Sequence, residues 1–165
     1  MNERGATTLA HEHYRRLVKK DNDRTALVDH AKRFVPVLAA QHNYKRAVEV
    51  LAETLALDAS FRPDVTDETF RLATRATLMG QHKIALYLLD GFHQRSPKHP
   101  DVVKNLLLAA RISHDKLGNA QQALRILELI ESKWPDHVLT PERLALAETV
   151  AETLRMSPSG GMDTR

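Results

Sequence analysis

Cysteine is missing altogether from the 165 residues. That removes disulfides, thiolate metal sites and cysteine nucleophiles together. A cysteine-free chain suits a reducing compartment, and the expected localisation is cytoplasmic. Aromatic residues make up only 5 %, too few to build stacking platforms for single-stranded nucleic acid. No apolar run approaches the roughly 20 residues that a bilayer-spanning helix needs. The first ten residues set Glu3 beside Arg4 and continue polar, without the apolar centre of a secretory signal. A protein that stays soluble and is not exported by that route is expected.

Charge of one sign is also scarce. The net charge is +3, all of it in residues 1–63, which hold 11 Lys+Arg against 8 Asp+Glu. The excess centres on Arg15, Arg16, Lys19 and Lys20, but Asp21, Asp23 and Asp29 follow closely. So mixed a patch is no footprint for DNA or RNA, and nucleic acid is not an expected partner. Membrane contact is expected only indirectly or through this basic N-terminal helix. Catalytic patterns are missing as well. None of the six glycines forms a phosphate-binding loop, and neither Gly-x-Ser-x-Gly nor His-Glu-x-x-His occurs. His11 and His13 are two apart and would face different sides of a helix. No ligand set has recognised metal spacing. No enzyme, no cofactor and no metal are expected.

What the chain does have is a repeat. Tyr44-Lys45-Arg46-Ala47 aligns with His82-Lys83-Ile84-Ala85 and again with Ala120-Gln121-Gln122-Ala123, each 38 residues apart. Leu51, Leu89 and Leu127 share that offset, as do Gly80 with Gly118, Pro97 with Pro135, and His99 with His137. A small residue, a leucine, a glycine and a proline in fixed order mark a stack of supersecondary units. A small side chain fits where helices cross closely, so the three alanines should be buried. His99 and His137 recur because their turns recur, which favours a capping or packing role.

Apolar residues follow helical spacing almost throughout, without strand alternation. A basic helix over Thr8–Lys19 is expected within an N-terminal lead-in, residues 1–22. The repeat domain follows over 23–156, and a disordered tail over 157–165. Eight helices in antiparallel pairs are expected in all. Asp21-Asn22-Asp23 should cap a helix over Arg24–Gln41 that Pro36 kinks or divides. The next helices fall at Tyr44–Leu57, then from a Thr66-Asp67-Glu68 cap to Met79, closed by Gly80. His82–Arg95 reads as one helix, Pro100–Leu117 as another and Ala120–Lys133 as a third. A last helix is expected with Thr140 as its cap and Pro141 at its first position.

These residues (the inter-helix glycines, the alanines of the second helix and the exit prolines) resemble a long-period bacterial variant of the tetratricopeptide (TPR) repeat. The resemblance covers roughly residues 23–155. The offset exceeds the family's usual 34 or so, and its tryptophan, Leu-Gly and tyrosine in the first helix are missing. The resemblance implies an all-α, right-handed superhelix of stacked antiparallel helix pairs. It also implies binding of a protein or peptide in a groove lined by the first helix of each pair. Lys32 falls at a clamp-like lysine position, with Phe70 and Leu108 at its equivalents, so no complete carboxylate clamp is present. Arg33 and Arg71 are equivalent, and Arg75 is one turn beyond Arg71. With Lys32, Lys104 and Arg111, they are the candidate partner-binding residues, and an acidic segment is the ligand they suit.

Two functions compete. One is an adaptor holding a protein segment on the first-helix face, which exposed Phe70, Leu78, Leu108 and Ile112 would favour. The other is a structural or self-associating cytosolic domain attached to a membrane protein. An exposed stripe of Leu144, Leu146, Val150 and Leu154 would favour that one.

Overall fold

A computed structural model of the protein describes residues 24–157 and the single position Glu12. The expected N-terminal helix, the Asp21-Asn22-Asp23 cap and the tail beyond Ser157 lie outside the described residues. All regular structure among the described residues is helical. The chain divides into two compact units at Met79–Gly80.

The first unit holds α1 (Arg24–Ala40), α2 (Tyr44–Leu57), a 3-10 turn at Thr66–Glu68 and α3 (Thr69–Leu78). α1 packs on α2, and α2 on α3. α1 buries Leu27, Ala31, Phe34, Val35 and Leu38, one stripe at helical period. Pro36 does not divide this helix; α1 runs through it. One backbone bond is forgone there, but buried Val35, Leu38 and Ala39 on either side hold the helix to the unit. Thr66-Asp67-Glu68 takes a different form from a simple cap. It forms the 3-10 turn itself, and Glu68 precedes α3 without a capping bond.

The second unit holds α4 (His82–Leu89), α5 (Phe92–Arg95), α6 (Val102–Arg111), a π-helical turn at Ile112–Lys116, α7 (Ala120–Lys133) and α8 (Thr140–Met156). α6 packs on α4, α5 and α7, and α7 packs on α8. The single helix expected over His82–Arg95 is broken. Asp90 is extended and Gly91 is left-handed at φ 68°, so the chain turns before α5 restarts. The Arg95 Nη1 donates across the break to the Asp90 carbonyl at 2.6 Å.

The 38-residue period is accurate along the second helices. They start at Tyr44, His82 and Ala120, and the segments end at Leu57, Arg95 and Lys133. Ala47, Ala85 and Ala123 are all 0 % exposed, and Leu51, Leu89 and Leu127 are buried. The turn before each helix repeats too, with positive φ at His42 (57°), Gly80 (75°) and Gly118 (61°). His42 thus occupies a glycine position, which the sequence comparison did not show. A Cβ at Gly118 would meet nothing within 4 Å, so only the backbone resists substitution. Gly118→Ala is expected to cost about 1 kcal/mol, read as a shift in urea midpoint at unchanged slope.

The turns between pairs repeat as well. The amides of Phe61, His99 and His137 donate to the carbonyls of Asp58, Ser96 and Trp134 at 3.1, 3.1 and 3.4 Å. The Nδ1 atoms of His99 and His137 accept the backbone N–H of Asp101 and Leu139, each at 3.1 Å. The recurring histidines therefore do cap, each satisfying an amide at a helix entrance. Thr140 does not: Leu139 holds the cap position, and the Thr140 hydroxyl donates instead to the Pro135 carbonyl at 3.2 Å.

Along the first helices the period changes. Ala31, Phe34, Val35 and Leu38 of α1 correspond to Thr69, Leu72, Ala73 and Ala76 of α3 at an offset of 38, and all eight are buried. The next buried set is Leu106, Ala109, Ala110 and Ser113, an offset of 37. The π-helical turn supplies the missing residue: the Leu117 amide donates five residues back, to the Ile112 carbonyl, at 3.1 Å. That extra residue restores the 38 spacing by Gly118.

Candidate interaction surface

In the first unit the exposed face of the first helices combines cations with bare apolar groups. On α3, Arg71, Arg75 and Leu78 follow one another at helical spacing on one side. Both arginines are exposed, and Leu78 is 74 % exposed. On α1, the residues in register with the two arginines are Arg33, exposed, and Val37, 49 % exposed. α1 and α3 both pack on α2, and each presents a cation with an exposed apolar side chain on that face, Val37 standing where α3 has Arg75.

Arg71 is not a loose surface charge. Its Nη1 lies 3.6 Å from the Glu68 Oε2, and the Tyr44 hydroxyl donates to that same carboxylate oxygen at 2.6 Å. The His42 Nδ1 is 2.6 Å from the Tyr44 oxygen. Because the hydroxyl proton is committed to Glu68, the imidazole is the donor in that contact. Burial, then the bond to Glu68, holds the Tyr44 phenol above its ordinary pKa. The bond with Tyr44, then the charges of Tyr44 and Glu68, raises that of Arg71. This chain links the left-handed turn before α2 to the first turn of α3.

Lys32 is exposed and pairs with Asp29 at 3.6 Å. It borders a shallow hollow of about 340 Å³ shared with Arg24, Asp29 and Asp58, whose mixed charge makes it a poor anion site. In the second unit Lys104 and Arg111 are exposed on α6, seven residues apart with half-buried Leu108 between them. The equivalence of Leu108 with Lys32 and Phe70 needs correcting. In the register of buried residues Leu107 takes that position, and Leu108 matches Arg33 and Arg71, because the π turn shifts α6 by one. Phe70 and Leu108 are half-buried, and Ile112 is buried rather than available. Val37 went unnoticed in the sequence, although it lies 38 residues before Arg75.

The second unit also contains a cleft of about 570 Å³ walled by α4 and α7 and floored by α6. His93 borders it at the break between α4 and α5. Burial, then the charge of Lys133, lowers the His93 pKa from its ordinary 6.5. The neutral ring is therefore favoured by folding. Its contribution is complete above about pH 6.5 and is lost as pH falls through the lower folded value. His93→Leu, the residue found 38 positions earlier at Leu55, should shrink the drop in melting temperature between about pH 7.5 and about pH 5. An undiminished drop would place the acid sensitivity elsewhere.

Among the described residues no group of three or more His, Cys, Asp or Glu comes together as a metal would require. No helix among them is long and apolar enough to cross a membrane.

No protein-family model matches this chain, and no curated protein matches it. Solved structures do. A Podosopora anserina chain described as a kinesin light chain of nearly identical TPR-like repeats aligns over 93 % of this chain and 79 % of its own. The identity is 18 % and the TM-score 0.50. MamA of Desulfovibrio magneticus RS-1, from its residue 41 onward, aligns over 96 % of this chain and 97 % of its own. There the identity is 16 % and the TM-score 0.41. The first of these speaks for the fold: paired helices of the TPR-like kind, as the internal period implied.

Proposed function

We propose that this protein is a non-enzymatic scaffold that holds a segment of another protein on the exposed face of its first helices. The observation that carries this reading is the recurrence of Arg33 with Val37 on α1 and of Arg71 and Arg75 with Leu78 on α3. Exposed apolar side chains beside cations suit a partner with apolar anchors and carboxylates. Lys32, Lys104 and Arg111 extend the basic character of the first helices. The apolar stripe that would favour self-association through the last helix is incomplete: Leu146 and Val150 are buried and Leu154 is half-buried, which leaves Leu144, 53 % exposed, as its one open member. The exposed side of α8 carries Glu148, Thr149, Glu152 and Thr153.

The test uses peptides selected on the wild-type protein from a displayed random library. Arg33→Glu combined with Arg75→Glu should weaken their binding about tenfold, more at low salt and less at high salt. Melting temperature should hardly move, since both positions are exposed. Arg71 is the poorer probe, because reversing it also breaks its contacts with Glu68 and Tyr44. Unchanged affinity in the double variant would sink the first-helix assignment.

A further inference from the structure

The cleft in the second unit exists because the chain omits two side chains that its own repeat supplies elsewhere. Ala109, on the floor, stands in the register position held by Phe34, Leu72 and Leu146. Gly91, at one end, stands where the other second helices carry Glu53 and Leu129. The space left, about 570 Å³, is in the range of sites that enclose a ligand group. Its walls are apolar: Leu86 and Tyr87 on α4, Ile126 and Leu129 on α7, all half-buried. Its rim is charged unevenly. Lys83 on α4 and Arg125 on α7 are exposed cations, and Asp90 is the one carboxylate in the lining. Lys83 lies in the first turn of α4 and Asp90 just past its end, so two cations face one carboxylate around the rim. His93, beside Asp90, is held toward its neutral form and adds little charge there near neutral pH.

We propose that this cleft is a second docking site, for a short amphipathic protein segment. The segment seats a large apolar side chain over Ala109 and sets an Asp or Glu beside Lys83 and Arg125. The proposal shares with the preceding reading only the class of partner; its surface is separate, so either can fail alone. Apolar contact supplies the anchor, and the two rim cations against one carboxylate select an acidic flank over a basic one.

The probe is a displayed library of random peptides, roughly 12 residues long, selected on the wild-type protein. One class of enriched peptides should join a large apolar residue to an Asp or Glu within four positions. That class should lose about tenfold or more in affinity on Ala109→Leu, which restores the repeat's usual side chain and should leave melting temperature equal or higher. Lys83→Glu with Arg125→Glu, both exposed, should produce a similar loss without touching the core. Arg33→Glu with Arg75→Glu should leave this class unaffected. Such peptides, found without any class sensitive to Arg33 and Arg75, would support the cleft and defeat the first-helix reading. Enriched peptides that all depend on Arg33 and Arg75 would do the reverse. Peptides indifferent to Ala109→Leu, or a consensus rich in Lys and Arg, would overturn the proposal.

Discussion

Ala85→Arg is expected to cost at least about 3 kcal/mol of unfolding free energy, enough to leave a domain of ordinary stability barely folded. Ala85 is 0 % exposed on α4, the helix that lies against α6. Its counterparts Ala47 and Ala123 are equally closed off. A larger side chain at such a position forces neighbours off their rotamers, which alone costs about 1–3 kcal/mol. An arginine also brings a charge with no partner in place, and an uncompensated buried charge costs about 3–5 kcal/mol. Urea denaturation should show the loss directly. Ala151→Arg, on the exposed side of α8, is the control, expected to stay within about 0.5 kcal/mol of wild type. Equal midpoints for the two variants would mean that the repeated alanine does not mark a helix crossing.

The second helices were legible in the sequence because a close crossing narrows the choice of residue. Only a small side chain fits at Ala47, Ala85 and Ala123, so the constraint is written in composition at a fixed spacing. Left-handed turns are similarly restrictive, and Gly80 and Gly118 announce them. His42 shows the limit of that signal. It pays the backbone strain and engages Tyr44 at 2.6 Å, so the turn is present without its glycine. The break in the helix after α4 was also written, as the turn dipeptide Asp90-Gly91, but the apolar period running on through Phe92 masked it.

First-helix register was not legible, because a π turn inserts a residue without a compositional mark. Ile112–Lys116 looks like any polar helix end, yet it changes the offset from 38 to 37 for everything before it on α6. That single residue moves Leu107 into the position first assigned to Leu108, and gives Ala109 the repeat position of Phe34 and Leu72. The candidate cations could be named from charge and period. The cleft over Ala109 depends on the corrected register and could not.

Phe92→Ala should be nearly as damaging as the buried arginine, about 3–5 kcal/mol, and its effect should be concentrated locally. Phe92 is 2 % exposed and belongs to the core formed with Val103, Leu107 and Ile130. Its ring meets His99 edge-on at 5.2 Å. The same repeat position is Thr54 and Ile130, both buried, but those residues sit within helices of 14 residues. α5 has four residues, and Phe92 is its one buried side chain. A single turn of helix does not persist on its own propensity, so this contact is what fixes the segment after the break. Removing it should release α5 and the following turn before the rest of the unit opens. The Ser96 amide, bonded to the Phe92 carbonyl at 2.8 Å, should then exchange hydrogen much faster, while amides within α7 slow-exchange as before relative to the lowered global stability. Phe92→Leu keeps most of the volume and should lose under about 1.5 kcal/mol with α5 still protected. If alanine and leucine lose the same amount, the ring's fit against the core is not what holds α5. The bridge from the Arg95 guanidinium to the Asp90 carbonyl across Gly91 would then be the element to remove next.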